Sequence, residues 1–144
     1  MSLAGAYDAN NIFAKILRGE ASCVKVHEDA HALAFMDLFP QVRGHTLVIP
    51  KDVEARTFLD FPPERLGPYM QSVQRVARAV ERGLKPDGVR LMQFNGAPAG
   101  QTVFHLHFHI LPIFEGVALK PHAAGAMADK AELEALAKEI AAAL

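Results

Sequence analysis

The chain has 144 residues, of which 51% are hydrophobic, and this length and composition fit one compact domain over residues 1–144. A formal net charge of −1 gives no reason to expect the basic surface by which proteins bind nucleic acid regardless of its sequence. The single cysteine, Cys23, excludes an internal disulfide and is typical of a reducing compartment. Because the N-terminus lacks a signal-peptide pattern and no apolar run approaches about 18 residues, we expect a cytoplasmic protein without a membrane-spanning segment.

The chain begins with a loose arm and a short helix. Residues 1–10 carry no regular pattern and are predicted to form the arm. Asn10 or Asn11 can then cap a helix over residues 12–18 that Gly19 ends, because asparagine is favoured at the start of helices and glycine just beyond their end.

Three strands and a long helix follow. Residues 24–28 and 31–38 have the composition of two strands around a tight turn, and residues 45–50 predict a third strand that its final proline stops. Between residues 62 and 82 apolar side chains recur at helical spacing, so we expect the first main helix there, with Gly83 as its stop.

The second half of the chain holds a strand, a glycine-rich loop and a second main helix. A fourth strand is predicted over residues 89–94, and residues 95–102 form a loop whose glycines allow backbone N–H groups to approach a phosphate. Residues 115–144 are a variable C-terminal segment, irregular in its first half. Asp129, with Glu132 three residues later, predicts the start of a helix that reaches the last residue.

The most informative stretch is residues 105–111, where three histidines alternate with large apolar residues. Strict alternation is typical of a half-buried strand, whose successive side chains point to opposite faces. We therefore expect the three imidazoles on one face of a strand and their neighbours in the core. The histidines are His105, His107 and His109, and the core neighbours are Phe104, Leu106, Phe108 and Ile110.

Three interpretations of this histidine face are open from the residues alone. A metal site would need ligands from elsewhere, because the outer two side chains are about 13 Å apart on a straight strand, whereas zinc binds nitrogen at about 2 Å. Three unrelated surface histidines are the second interpretation. The favoured one is an imidazole that acts as nucleophile or acid–base group, while its neighbours orient it and bind an anionic substrate.

The run from His105 to Leu111 resembles the histidine triad motif, in which histidines alternate with apolar residues and two apolar residues follow the third histidine. The similarity extends from residue 11 to residue 112 in the order that the family shows. It includes residues 11–16, 34–37, 44–50, 95–96 and 100–102. In order and spacing these segments are similar to the Hint-like branch of the histidine triad (HIT) superfamily.

This resemblance implies an α+β fold of the HIT type. Its parts would be an antiparallel sheet of about five strands with the histidine strand central, two main helices and a short N-terminal helix. It also implies a homodimer that extends an open edge of the sheet. The implied partner is a purine nucleotide, with no nucleic acid, no membrane and no cofactor.

The resemblance further assigns roles to residues of the site. His107 would be the nucleophile, His109 and His45 would hydrogen-bond the phosphate or the leaving group, and His105 would brace the strand. Asp37 would accept hydrogen bonds from the ribose hydroxyls. The other implied nucleotide- or phosphate-binding residues are Phe13, Leu38, Asn95, Gly100, Gln101 and Thr102.

Two of the aromatic positions have alternatives. Phe13 is either a wall of the base pocket, as the resemblance implies, or an ordinary core residue. His122 lies in the irregular C-terminal segment, and we expect it on the surface, with approach to a partner subunit's site as the alternative.

As a hypothesis, His107 attacks the α-phosphorus of a nucleoside 5′-monophosphate derivative, and water then releases the nucleotide from the nucleotidyl-histidine. A purine nucleoside phosphoramidase is the first choice, and a dinucleoside polyphosphate hydrolase of the diadenosine tetraphosphate type is the alternative. A non-catalytic nucleotide-binding scaffold is a further alternative, and a His-x-His metal module ranks last.

The sequence departs from the family at a metal site. Many bacterial members carry a structural zinc ion held in part by a Cys-x-x-Cys pair, at positions where this chain has Asn11 and Ala14. The further histidine usually found after the Ile-Pro-Lys segment is also missing. Because structural zinc needs thiolate and imidazole ligands, we predict a protein with no metal.

Overall fold

The computed structural model describes residues 3–122 and 126–144, and in these residues five strands form one antiparallel sheet. The strand order is β1-β2-β3-β5-β4. The strands are β1 (Lys25–Glu28), β2 (Ala32–Met36), β3 (Thr46–Pro50), β4 (Gly88–Met92) and β5 (Phe108–Ile113).

Three α-helices accompany the sheet: α1 (Ile12–Leu17), α2 (Leu66–Leu84) and α3 (Lys130–Ala141). Short 3-10 turns occur at Phe58–Asp60, Pro63–Arg65 and Ala97–Ala99. This arrangement confirms the predicted α+β fold with five strands, two main helices and a short N-terminal helix. Within the described ranges, the helices are too short or too polar to cross a membrane.

The helices α1 and α3 begin where the sequence predicts, because their caps are local, whereas α2 begins at Leu66, four residues after the predicted start at Pro62. The side chain of Asn11 accepts a hydrogen bond from the N–H of Ala14 at the start of α1. The side chain of Asp129 does the same for the N–H of Glu132 at the start of α3. Each cap satisfies a backbone donor that has no partner within the helix.

The sheet is covered on both faces. On one face, α2 and α3 pack against alternate residues of β2 and β3, among them Ala34, Met36 and Val48. On the other face, α1 packs through Phe13 against the intervening residues, which include Phe35 and Leu47. Because both faces are buried, every residue of β2 and β3 is buried, and the functional cleft lies on the face that α1 covers.

The prediction that all three histidines lie on one strand is wrong for two of them. β5 begins at Phe108, so only His109 lies within it, while His105 and His107 lie in the irregular segment just before it. We call residues 101–107 the histidine segment. β5 is also not the central strand, since it lies between β3 and the edge strand β4.

The histidine segment leaves the sheet because its backbone is bonded elsewhere. The N–H of Leu106 donates to the carbonyl of Ala55 at 2.9 Å, in a connection outside the sheet. Pairing of β5 with β3 begins only where Phe108 lies opposite Val48. Alternation of residue types continues through the segment, but the ladder of hydrogen bonds that defines a strand does not.

The helix α2 continues past the predicted stop at Gly83 to Leu84, and Lys85 then adopts a left-handed conformation with φ of 53°. Gly83 has a packing role instead. A Cβ atom at this position would lie 2.9 Å from the carbonyl oxygen of Glu139, so only glycine allows α3 to lie this close to α2.

Candidate active site

A cleft of about 240 Å³ opens on the face of the sheet that carries α1. Its walls come from α1, from the end of β2 with the turn beyond it, and from the histidine segment with the start of β5. Imidazole and carboxylate groups converge at one end of an otherwise apolar surface, which is the arrangement of small-molecule sites. Predicted site residues that line it are Phe13, Asp37, Leu38, Thr102, His107 and His109.

His107 is held in one orientation by its own segment. Its Nδ1 lies 2.7 Å from the carbonyl oxygen of His105, which can only accept, so Nδ1 carries the proton and Nε2 carries the lone pair. Burial lowers the pKa of His107, and the positive charge that His122 acquires on protonation lowers it further. The ring is therefore neutral near pH 7, and Nε2 is available as a nucleophile.

His105 lies behind His107 and is fixed from both sides. Its Nε2 donates to the carbonyl of Pro50 at 3.0 Å, so its Nδ1 accepts from the hydroxyl of Tyr7 at 2.6 Å. Burial lowers the pKa of His105 to about 4. These bonds are compatible with the bracing role that the resemblance implies. The partner from the N-terminal arm, Tyr7, was not predicted.

A chain of hydrogen bonds orients His45 and His109. The backbone N–H of Gln41 donates to His45 Nδ1 at 3.0 Å, so His45 Nε2 carries the proton and donates to His109 Nδ1 at 2.9 Å. His109 must then carry its own proton on Nε2. Gly44 brings His45 to this place with φ of +95°, and a Cβ there would collide with Leu84.

Both rings of this chain are held neutral. Burial is the main cause that lowers the pKa of His45 and of His109, and neighbouring histidines lower it further. The carboxylate of Asp37, 3.4 Å from His45 Nε2, acts in the opposite direction on His45 without reversing the shift. The contact between Asp37 and His45 is therefore a charge–dipole contact with a neutral ring rather than an ion pair.

Phe13 serves in both of the ways considered from the sequence. It is buried against Phe35 at a ring-centroid distance of 5.3 Å, and it meets the ring of His107 edge-on at 5.0 Å. It is thus a core residue that also forms a wall of the cleft. Its contact with a base stays a prediction.

Asp37 and Leu38 lie where β2 opens into the cleft. One oxygen of Asp37 accepts the N–H of Phe39 at 2.8 Å, which fixes the carboxylate at the rim. Leu38 is exposed beside it. Their contacts with a nucleoside stay predictions.

Two predicted phosphate-binding side chains bond to the protein instead of lining the cleft. Gln101 accepts from the N–H of Gly96 and donates to the carbonyls of Arg56 and Val103. Asn95 accepts from the N–H of Phe58. Gln101 and Asn95 therefore hold the loop in shape, while the exposed Thr102 lines the cleft and Gly100 takes a φ of +109° next to it.

His122 lies in the site, and the expectation that it is a surface residue is wrong. Its ring is half-buried, with its centroid 5.1 Å from that of His109 and 5.1 Å from that of Phe94, and its Nε2 donates to the carbonyl of Gly100 at 2.9 Å. It approaches the cleft of its own chain. Nothing in the pattern of the irregular segment signals this placement, which depends on how the segment crosses the loop.

The donor set does not fit a structural zinc ion. Asp37, His45 and His109 offer ligand atoms within 4.8 Å of one another, but His45 Nε2 and His109 Nδ1 are bonded to each other, so an ion would have to break that bond. At the two positions of the family's thiolates, Asn11 caps α1 and Ala14 is buried. The absence of a metal stays a prediction.

Known proteins have sequences similar to most of this chain. Residues 18–116 match the HIT domain family. Protein hit of Bacillus subtilis (strain 168) is 40% identical over 119 residues, which are 79% of this chain and 81% of that protein. Adenylylsulfatase HINT3 of Arabidopsis thaliana is 38% identical over 101 residues, which are 70% of this chain and 51% of that protein.

Solved structures agree with the fold throughout. A Hit-like protein from Bartonella henselae has a TM-score of 0.88 and 49% identity, covering 96% of this chain and 100% of that one. A hypothetical histidine triad nucleotide-binding protein from Sulfolobus tokodaii has a TM-score of 0.81 and 34% identity, covering 91% of this chain and 89% of that one. The match to the family over more than half of the chain, with the histidine geometry described above, shows that this protein belongs to the Hint-like branch of the HIT superfamily.

Proposed function

We propose that the protein hydrolyses derivatives of purine nucleoside 5′-monophosphates at the α-phosphate, with phosphoramidates as the preferred substrates. The observation that carries this proposal is the bond from His107 Nδ1 to the carbonyl of His105, which leaves a neutral ring with the Nε2 lone pair beside the cleft. The Arabidopsis relative is an adenylylsulfatase, a name that denotes an adenylyl substrate, and this supports the proposed substrate class.

The reaction has two displacements. His107 Nε2 attacks the α-phosphorus, the bond to the leaving group breaks, and a nucleotidyl-histidine forms. Water then attacks the phosphorus and releases the nucleoside monophosphate and His107. His109 Nε2–H, whose direction the bond from His45 fixes, donates to a phosphoryl oxygen as negative charge builds up there.

The nucleoside would occupy the apolar part of the cleft. Phe13 offers its ring to a base, and the rim carboxylate of Asp37 offers an acceptor to the ribose hydroxyls. The preference for a purine in this proposal comes from the family resemblance.

The proposal is tested by the turnover of adenosine 5′-phosphoramidate and diadenosine tetraphosphate in the presence of EDTA. We expect wild-type protein to release AMP from the phosphoramidate. His107→Ala removes the nucleophile and lowers the turnover by at least about 10³-fold. His31→Ala is the matched control, because His31 is a partly exposed histidine bonded to Asp52, and it should retain activity.

Each other result has a defined meaning. Cleavage of the dinucleotide alone would keep the nucleophile and change the substrate class. Full activity of a folded His107→Ala protein would remove the covalent mechanism. Tight binding of AMP without turnover of either compound would make the protein a binding scaffold.

We also propose a homodimer formed through β4. This strand is an edge of the sheet, and its side chains Val89 and Leu91 are exposed. The unpaired backbone N–H and C=O groups of an edge strand can pair with another strand. In a symmetric dimer, the β4 strands of the two copies would pair with each other.

A further inference from the structure

His122 adds another imidazole to the cleft from outside the histidine segment. Besides His45, the ring of His109 has two histidine neighbours, His107 at a centroid distance of 5.0 Å and His122 at 5.1 Å. A phosphoryl group bound to His109 would therefore lie within reach of the nucleophile and of His122. Phe94 packs against the His122 ring at 5.1 Å and holds it in place.

The hydrogen bonds of His122 leave one nitrogen unused. Its Nε2 donates to the carbonyl of Gly100, so Nδ1 carries the lone pair when the ring is neutral. In the part of the chain that the structure describes, His122 Nδ1 and His109 Nε2 are the two ring nitrogens that are buried without a hydrogen-bond partner. Buried polar atoms are normally paired, so an unpaired donor and an unpaired proton acceptor beside one cleft indicate a place for a ligand.

We propose that His122 Nδ1 carries the proton that the leaving group takes up when its bond to the α-phosphorus breaks. This role rests on the proposed function and extends it to a class of substrates. Those substrates have leaving groups that depart poorly as anions, amines above all.

The proton balance of the two displacements is complete with this residue. In the first, the bond from His107 Nε2 to phosphorus forms and the P–N bond breaks. Its electron pair stays on the departing nitrogen, which takes a proton from Nδ1 of protonated His122. In the second, water attacks phosphorus, the electron pair of the P–N bond returns to His107, and the proton of the water passes to His122 Nδ1.

The other histidines of the site are occupied by fixed bonds. Both ring nitrogens of His45 and of His105 have partners within the protein. His107 uses Nδ1 for the carbonyl of His105 and needs Nε2 for the attack. His109 Nε2 is a donor already, and burial lowers the pKa of that ring, which disfavours a second proton. His122 thus offers the unassigned lone pair.

The test compares two AMP derivatives that differ in their need for a proton. An alkylamine phosphoramidate of AMP must be protonated at nitrogen to depart, whereas the p-nitrophenyl ester of AMP releases a stable anion. In His122→Gln we expect kcat/KM for the phosphoramidate to fall by about 10²-fold or more, the usual effect of losing a general acid. We expect kcat/KM for the ester and the Kd for AMP to be almost unchanged.

The control His31→Gln removes a histidine outside the cleft and should leave both substrates unaffected. Equal losses on the two substrates in His122→Gln, or no loss on either, would overturn the role of His122 and leave the proposed function intact. Hydrolysis of neither compound by the wild-type protein would overturn the proposed function, and this role with it.

A second readout uses the wild-type protein alone, so it does not depend on the folding of a variant. Across a series of amine leaving groups of increasing basicity, kcat/KM should change only weakly if the nitrogen is protonated as it departs. A steep decrease of kcat/KM along the series would contradict the proposal.

Discussion

The neutral histidines of the cleft link its chemistry to the stability of the fold. Burial is the main cause that lowers the pKa of His45, His105, His107 and His109 below the value of 6.5 of the free side chain. In the unfolded chain the same rings are exposed to water and take up protons near pH 6.5. Acid therefore favours the unfolded state.

We predict that the free energy of unfolding decreases as the pH falls from about 6.5 to about 4, the range between the unfolded pKa and the folded pKa of His105. Each such histidine contributes a slope of at most about 1.4 kcal/mol per pH unit. Urea unfolding at several pH values would measure the slope. His105→Asn removes one titrating ring and should flatten it, whereas an unchanged slope would show that this ring does not bind its proton differently in the two states.

The sequence predicts those site residues whose identity follows from a local pattern. The alternation of residues 105–111 and the family resemblance of residues 44–50 were enough to find four of the histidines. Tyr7 and His122 were not found, because they reach the site through long-range contacts, Tyr7 with His105 and His122 with Gly100 and His109. Spacing along the chain carries no signal for contacts of this kind.

At the level of elements, the packing of α2 against α3 depends on a single missing side chain. Gly83 lies within α2, where glycine is otherwise unfavourable by about 1 kcal/mol relative to alanine. It is tolerated because the backbone of α3 at Glu139 and Ile140 lies where a Cβ would be. The sequence predicted that α2 ends at Gly83, but this glycine is a packing residue within the helix.

We predict that Gly83→Ala destabilises the protein, although alanine normally stabilises a helix. The added methyl group would lie 2.9 Å from the carbonyl oxygen of Glu139 and would force the two helices apart, at a cost of about 1–3 kcal/mol. The decrease would be measured by thermal or urea unfolding. Gly67→Ala in the same helix meets nothing within 4 Å and serves as the control, with a change of less than about 1 kcal/mol. A stabilised Gly83→Ala protein would contradict the close contact.

The boundaries of elements were predicted well where they are set by neighbouring residues and poorly where they are set by distant ones. The caps at Asn11 and Asp129 involve residues three positions away, and both helices begin as predicted. The start of β5 depends on the hydrogen bond between Leu106 and Ala55, which are far apart in the sequence. The sequence alone therefore predicted the five strands but extended the last one too far towards its N-terminus.

At the scale of the whole molecule, the edge strand β4 leaves apolar side chains exposed to water in the monomer. Val89 is 37% exposed and Leu91 is 49% exposed, and the groove beside them is bordered by Met70 and Ala77 of α2. The proposed homodimer would bury these side chains. The open edge was anticipated from the fold class, but which strand forms it follows only from the strand order.

We predict that Leu91→Glu shifts the protein from a dimer to a monomer, because it places a charge at the centre of the proposed interface. Light scattering coupled to size-exclusion chromatography would show the mass fall from two chains to one. Leu59→Glu, at a residue that is 70% exposed outside the sheet, should leave the mass unchanged. A wild-type protein that is monomeric at micromolar concentration would contradict the proposed homodimer.

The chain of bonds that leads from Gln41 to His109 has one further consequence. It begins at a backbone N–H, a group that cannot exchange the roles of donor and acceptor, so the polarity of every later bond is set by the covalent backbone. The Nε2–H of His109 therefore faces the cleft before any substrate arrives. A site preorganised in this way needs no dipole to rotate when charge develops on the phosphoryl oxygen, so the reorganisation energy of that step is small.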